Sequence, residues 1–502
     1  MTTVRKRLDW IMNPGSSLGK RAANAGFWAF LRSLTVRLLR TARAFVLARL
    51  VAPEDWGLMG IALLVVDMAT RFSQTGVSAA LIQEKRDLQE EDFNTAWTIE
   101  AIRGLLLSAG VILAAPLAGQ FFHNADATSL LRVMGLGIAL RWLANPAVVD
   151  FDRDLEFQRR FIYRTLPNLI EGVVTIAFAF LLRNAWALAF GWLAGRLTFT
   201  VSTYLVHPHR PKLRFKLGEA RKLLAFGKWI FGVSLLQYAL LHLDDIMVAR
   251  LAGATALGFY QMAYTMSQMA ATEISNVTAT VAFPAYANLQ DEPERLGRAY
   301  VRTVQFVAFL SFPLTAGIWF LGPEFVTTVL GAKWQPLLPA LGVLLLWGLI
   351  RAITSAAEPL LTGIGRPATV TRGKALQLAL LAILIYPLTS NWGIVGAAWA
   401  TVIAATSSVW LVALASRYSE SSWSAYIKAV GVPAANTAIM LGVLYGLKTW
   451  GILPSAGWTL AWAPLVGAAV YFGAAFVARR YFGYAKDGLL ITRSRNEVEA
   501  TS

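Results

Sequence analysis

GFWAFLRSLTVRLLRTARAFVLARLVAPEDWGLMGIALLVVDMA, residues 26–69, lies without gaps on GKWIFGVSLLQYALLHLDDIMVARLAGATALGFYQMAYTMSQMA, residues 227–270. The displacement is 201 residues and 13 of the 44 positions are identical, more than a shared taste for leucine supplies. Ala48-Arg49-Leu50 falls on Ala249-Arg250-Leu251, and Gly57 falls on Gly258. A second echo sets NAWALAFGWLAG, from Asn184, on SNWGIVGAAWAT and pairs Trp186 with Trp392. Each copy opens with an apolar run of about 20 residues, enough helix to cross a bilayer core of about 30 Å.

The rest of the 502-residue chain is of the same kind: 56% hydrophobic, 15% charged, with 18 tryptophans, the composition of a polytopic membrane protein. Polar breaks divide it into 14 spans. The expected layout is a basic cytoplasmic N-terminus (1–21), a lobe of six spans (22–206), an interfacial linker (207–224), a second lobe of six (225–416), two further spans (417–482) and a tail (483–502). The net charge of +17 follows this layout. Lysines and arginines crowd alternate connecting segments, while the other segments hold only Arg183, Lys333 and Lys448. That asymmetry places both termini in the cytoplasm and makes the basic charge a topology signal, so nucleic acid is not an expected partner. Because each repeat starts after an even number of crossings, the two lobes have parallel topology. The fold class expected is therefore all-α: 14 transmembrane helices in two six-helix lobes around a central cavity, plus two C-terminal helices.

No short apolar core followed by a small-residue cleavage site occurs in the first 25 residues, so no removable signal peptide is expected. The absence of cysteine excludes disulfides, thiol nucleophiles and cysteine-ligated metals. His207 and His209, in a proline-broken loop without a third ligand, read as interfacial residues rather than a metal site. No metal or other cofactor is expected.

The first span carries Arg32, Arg37, Arg40 and Arg43 within an arc of about 140° at 100° per residue. A central arginine costs roughly 2.5–3.5 kcal/mol on insertion scales, so these charges need water, partners or a ligand. Arg32 and Arg43 lie near the span ends and can snorkel. Arg37 and Arg40 cannot, and line either a watery cavity or a buried ion pair. Asp67/Arg71 and Glu100/Arg103, spaced i,i+4 and i,i+3, are candidate self-neutralising pairs. Arg141, Arg196 and Arg351 have no local partner and are better candidates for an anionic ligand. Arginine suits phosphate because its planar fork donates paired hydrogen bonds and stays charged when desolvated. Aromatic faces would pack against sugar rings. Glu171, Asp244, Asp245 and Glu273 are candidates to carry a coupling proton or sodium ion, with no preference between them.

The motifs LVAPEDWGLMGIA (50–62), GVSAALIQEKRDLQEEDFNTAW (76–97), DFDRDLEFQRR (150–160), LDDIMVARLAGATALGFYQMAY (243–264), FPAYANLQDEPERLGRAYVRTVQ (283–305) and LLTGIGRPA (360–368) resemble Wzx-type polysaccharide flippases, a branch of the multidrug/oligosaccharidyl-lipid/polysaccharide exporter superfamily. The resemblance runs from about Lys20 to Ser416 and rests chiefly on PEDWG and RDLEFQRR. It implies a 14-helix transporter that moves an undecaprenyl-diphosphate-linked oligosaccharide repeat unit across the bacterial inner membrane by alternating access. The product would feed O-antigen, capsule or exopolysaccharide, with the pathway's polymerase and chain-length regulator as partners. It further implies that cavity arginines hold the diphosphate, a role carried onto Arg37 and Arg40 and then onto Arg141 and Arg351.

Competing readings are a peptidoglycan-precursor flippase, which shares a basic cavity, and a cation-coupled drug exporter, which should have a cavity dominated by carboxylates. A glycosyltransferase is suggested only by Asp152-Arg153-Asp154, without a soluble nucleotide-binding domain. A polymerase should carry large periplasmic loops, and the longest here is 322–336. No G-x-x-x-x-G-K-[ST] phosphate loop is present, so direct ATP hydrolysis is not expected.

Overall fold

The computed structural model describes residues 41–73, 77, 81–82, 88–153, 157–214, 227–451 and 456–482, and all regular elements among them are helical. In hydrocarbon every backbone N–H and C=O must be satisfied within its own segment, which an apolar chain achieves as helix. Seven of the described helices are long and apolar enough to cross a membrane, making this a multi-pass membrane protein. Two compact units form: one from the chain up to His242 together with Gly253–Gly258, the other from Leu243–Ala252 and the chain from Phe259 onward.

The first unit contains α1 (41–50), α2 (Pro53–Phe72), α3 (Glu90–Phe121), α4 (Asp126–Trp142), α5 (Phe157–Leu182) and α6 (Ala185–Val206). Helix α2 starts on Pro53, carries Glu54 and Asp55 in its first turn and Arg71 in its last, matching each charge to the helix dipole. A capping box between Gln89 and Asp92 opens α3. Leu106, Leu113 and Leu117 of α3 are 69%, 78% and 66% exposed, an outward face that suits lipid rather than water. Helices α5 and α6 close on each other through Gly191 and Gly195. A Cβ at Gly191 would lie 1.8 Å from Thr175 Oγ1, and one at Gly195 2.8 Å from Glu171 Oε2. This is the small-x-x-x-small packing of membrane helices, legible as G-W-L-A-G in the sequence.

Residues matched by the 201-residue repeat also meet within this unit. A Cβ on Gly57 would sit 1.7 Å from the Ala254 carbonyl oxygen, and one on Gly258 2.0 Å from the Pro53 carbonyl oxygen. Pro53 and Gly57 are the repeat counterparts of Ala254 and Gly258, so the contact is reciprocal.

The linker begins as an extended strap, not a helix, over residues 207–214; residues 215–224 of the expected interfacial segment lie outside the described residues. Backbone donors of the strap are satisfied by helix side chains: Lys212 N donates to Asn94 Oδ1 at 2.7 Å and Arg214 N to Thr98 Oγ1 at 3.2 Å. Buried Asn145 donates from Nδ2 to the His209 carbonyl at 2.8 Å and accepts from Ala147 N at 3.0 Å. Burial, opposed by Glu90 and reinforced by His207, pulls the His209 imidazole below the ordinary histidine range. Asn145→Ala strands the Ala147 N–H, while the His209 carbonyl keeps Arg210 Nη1 at 3.0 Å, and an expected loss of about 1–3 kcal/mol should appear as a lower Tm of the purified protein in detergent.

The second unit contains the later part of α7 (Gly227–Asn288), then α8 (Pro293–Phe325), α9 (Leu338–Thr354), α10 (Pro367–Thr406), α11 (Ser408–Tyr418), α12 (Trp423–Thr449) and α13 (Ala456–Phe482). Helices α7 and α10 are each interrupted, at Gly253 (φ 88°) and Gly393 (φ 55°), left-handed conformations that glycine accepts without a Cβ clash. Helices α12 and α13 dock on α8: Lys448 Nζ is 2.5 Å from Glu324 Oε1, and Tyr471 Oη donates to the Phe309 carbonyl at 2.8 Å.

Candidate functional site

The first unit gathers most of the described charges that the sequence sets within apolar spans. Both pairs expected from spacing form: Arg71 Nε donates to Asp67 Oδ2 at 2.7 Å, and Arg103 pairs with Glu100. His242 Nε2 lies 3.4 Å from the same Asp67 oxygen. Arg43, expected to reach the outer interface, instead donates from Nη1 to Glu171 Oε1 at 2.6 Å. The carboxylate of Glu171, a candidate for ion coupling, is thus engaged by an arginine across helices, a pairing no sequence spacing announces.

Arg141 and Arg196 are different. Neither has an ion pair or hydrogen bond to any described residue. Each guanidinium faces an aromatic ring instead: Arg141 over Phe199 at 3.8 Å and Arg196 over Trp192 at 4.7 Å. The position of Arg141 is set by the end of α4, whose last carbonyls are taken by side chains of neighbouring helices. Thr200 Oγ1 donates to Leu140 O at 2.5 Å, while Tyr204 Oη at 2.8 Å and Trp97 Nε1 at 3.2 Å both donate to Leu143 O. These donors satisfy orphan carbonyls of the helix terminus and lock its last turn.

Glycines seat the rings. A Cβ on Gly137 would lie 2.2 Å from Cζ3 of Trp192, and one on Gly104 2.3 Å from Cβ of Trp142. Gly137→Val is therefore expected to push the Trp192 ring and its Arg196 out of place, lowering the Tm by an amount corresponding to about 1–3 kcal/mol.

Asp67, Arg71, Arg141, Trp142, Trp192 and Arg196 line a cavity of about 310 Å³ together with apolar side chains of α2 and α4, a volume at the lower end for ligand sites. Three arginines and one aspartate line it, so positive charge is in excess. Stacking on an aromatic returns about 0.5–2 kcal/mol per cation, less than the roughly 2.5–3.5 kcal/mol a mid-membrane arginine costs. A smaller cavity of about 190 Å³ in the second unit, lined by Trp319, Tyr445 and Lys448, has its cation tied to Glu324.

Of the remaining candidates, Arg37 and Arg40 lie outside the described residues. Arg351, in the last turn of α9, belongs to the second unit and stands over Trp347 at 5.4 Å. Asp244 is buried; its Oδ2 accepts from Tyr260 Oη at 2.8 Å, its Oδ1 from Asp245 N at 3.0 Å, and Tyr260 Oη is 3.3 Å from Thr401 Oγ1. The side chain of Glu273 lies outside the described residues, as do Asp154 and the side chain of Asp152. Sequence reasoning singled out Arg141 and Arg196 but missed Trp142, Trp192, Phe199, Tyr260 and Thr401. One signal was readable: Trp192/Arg196 and Trp347/Arg351 both show W-x-x-x-R, one helical turn apart.

The fold is shared with solved membrane transporters. The fold resembles a lipid II flippase, MurJ, in an inward closed conformation, with TM-score 0.73 and 17% identity over 90% of this chain and 99% of that one. An inward-facing multidrug resistance MATE family transporter of the MOP superfamily matches with TM-score 0.57 and 15% identity, over 77% of this chain and 96% of the other. Residues 46–339 match the family described as polysaccharide biosynthesis protein, and the chain belongs to that family. Relatives include the lipopolysaccharide biosynthesis protein WzxC of Escherichia coli K12, 25% identical over 69% of this chain and 70% of its own length. The teichuronic acid biosynthesis protein TuaB of Bacillus subtilis 168 is 23% identical over 86% of this chain and 90% of its own length. The succinoglycan biosynthesis transport protein ExoT of Rhizobium meliloti 1021 is 23% identical over 72% of each.

Proposed function

We propose that this chain is a transporter, not an enzyme, and flips an undecaprenyl-diphosphate-linked oligosaccharide repeat unit from the cytoplasmic to the periplasmic leaflet of the bacterial inner membrane. The observation that carries the reading is the pair Arg141 and Arg196, held on aromatic rings in a membrane-embedded cavity without a carboxylate partner among the described residues. A diphosphate supplies the missing negative charge, and its oxygens match the forked donors of arginine. Membership of the polysaccharide biosynthesis family, with relatives in lipopolysaccharide, teichuronic acid and succinoglycan synthesis, supports a glycan as the cargo's other end.

The accompanying topology is 14 spans with both termini cytoplasmic, two six-helix lobes of parallel topology, and two added helices. The interruptions at Gly253 and Gly393 support this count, because Pro367–Tyr418 alone would be about 78 Å of helix at about 1.5 Å per residue, more than two bilayer cores. The cavity opens to one face and then the other, with the lipid tail left in the bilayer. Asp244, held by Tyr260 and near Thr401, is the best placed described group to take up a proton or sodium ion during the cycle. Released repeat units pass to a polymerase and chain-length regulator.

The test is the leaflet distribution of lipid-linked repeat units in cells deleted for the gene and complemented by wild type. Repeat units trapped on the cytoplasmic leaflet, and freed by complementation, support the reading. An unchanged distribution in the deletion rejects it, and accumulation of peptidoglycan precursor instead reassigns the cargo.

A further inference from the structure

His242 is one of four histidines in the chain and the only one that the sequence sets within an apolar span. Histidine is the side chain whose ordinary titration falls between about pH 5 and 8, and an ionisable group at membrane depth is costly enough to need a use. Within the first unit the imidazole is held from two sides. Tyr238, one turn earlier on α7, has its ring centroid 4.8 Å from that of His242 and donates from Oη to the Leu64 carbonyl of α2 at 2.8 Å. That bond pins α7 to α2 and brings His242 Nε2 to 3.4 Å from Asp67 Oδ2, the same oxygen that accepts from Arg71 Nε at 2.7 Å. Two groups thus converge on one carboxylate oxygen, and both Asp67 and Arg71 line the cavity of about 310 Å³. The side chains of His242, Asp67 and Arg71 are 25%, 40% and 29% exposed, so none of the three is sealed in the core.

The charge of this wall depends on that imidazole. Among the described residues the charged groups facing it are Asp67 and Arg71 of α2, while Arg141 of α4 and Arg196 of α6 stand on the wall of the same cavity. With His242 neutral, Asp67 and Arg71 cancel. With His242 protonated, the imidazolium matches Asp67 and leaves Arg71 in excess, alongside Arg141 and Arg196. We propose that His242 is the proton-binding residue of the anion cavity and acts through Asp67: a proton on the imidazole neutralises the carboxylate and frees Arg71 to hold a phosphate oxygen. The proposal rests on the anionic-headgroup reading of this cavity. Proton and anion then strengthen each other's binding by the same factor, as linkage requires. Loss of the proton restores the Asp67–Arg71 pair and loosens the ligand. The site is distinct from Asp244, which belongs to the second unit.

The experiment measures binding of farnesyl diphosphate to the purified full chain in lipid nanodiscs by calorimetry at about pH 6 and about pH 8, on either side of the ordinary histidine value. The terminal phosphate of the probe itself titrates near pH ~6, so the readout is the ratio of variant to wild-type Kd at each pH. For His242→Gln, which stays neutral, that ratio should be near one at the higher pH and about fivefold or more at the lower, the modest end of coupling between linked sites. A histidine that only packs α7 on α2 would give the same ratio at both. Asp67→Asn removes the carboxylate that engages Arg71 and should bind more tightly than wild type at the higher pH. Its gain should be smaller at the lower pH, where the imidazolium already offsets Asp67. In the Asp67→Asn background His242→Gln should lose most of its effect. A His242→Gln ratio that does not change with pH overturns the proton site, and an effect unaltered by Asp67→Asn overturns the route through Asp67. If His242→Gln does not fold, wild type and Asp67→Asn decide alone, and an equal gain at both pH values overturns the proposal. Wild type that binds no farnesyl diphosphate at either pH defeats the anionic-headgroup reading with it.

Discussion

Arg141→Ala/Arg196→Ala is expected to lower the rate of repeat-unit flipping about a hundredfold or more while leaving the protein as stable as wild type, or more so. Each guanidinium would contribute about 1.5–3 kcal/mol to holding a charged ligand, and at about 1.4 kcal/mol per factor of ten two such losses exceed a hundredfold. The stability half of the prediction follows from the same geometry. Neither arginine is bonded to a described carboxylate, so removing it strands no buried counter-charge. It relieves the cost of keeping an unmatched cation in the membrane. A structural ion pair behaves in the opposite way, because breaking it leaves one charge uncompensated at a cost of about 3–5 kcal/mol. Arg43→Ala, which strands Glu171, is the internal contrast and should lower the Tm. Arg141→Lys/Arg196→Lys should fall between wild type and the alanine pair, since lysine keeps the charge but not the planar fork. Leaflet-resolved repeat-unit assays with thermal unfolding of the same variants check all of this. A fall in Tm for the alanine pair would mean that the two arginines hold the fold rather than a ligand.

Gly57→Leu and Gly258→Leu should each destabilise the protein severely and to a similar extent. At both sites the clash is with backbone, Ala254 O at 1.7 Å and Pro53 O at 2.0 Å, so no rotamer change relieves it and the helices must separate. Overpacking of this kind costs about 1–3 kcal/mol when side chains can yield, and more when they cannot. The two clashes share one interface. Once the helices have parted for the first leucine the second finds room, so the double variant should lose less than the sum of the singles. Thermal unfolding of the singles and the double measures the coupling. Full additivity would mean that the two glycines belong to separate contacts.

That glycine contact also shows what kind of information the sequence carries. Gly57 and Gly258 are visible as counterparts in the 201-residue repeat, and a repeated glycine implies a repeated need for close approach. That the two copies answer each other's need, Gly57 against Ala254 and Gly258 against Pro53, appears only in three dimensions. The in-helix pairs Asp67/Arg71 and Glu100/Arg103 were legible because their partners are fixed by helical periodicity. Arg43 with Glu171 was not, since 128 residues separate them.

By itself, then, the sequence determined that this is a helical multi-pass membrane protein built on an internal repeat, and that several arginines sit where arginine is costly. Those are consequences of composition, run length and periodicity, which act locally along the chain. Only the tertiary structure decided which of those arginines are neutralised. Glu171 takes Arg43 and Glu100 takes Arg103, while Arg141 and Arg196 rest on Phe199 and Trp192 around one cavity. The physical reason is range: an ion pair or a cation–π contact forms within a few ångströms, and which residues come that close is set by how helices distant in sequence pack.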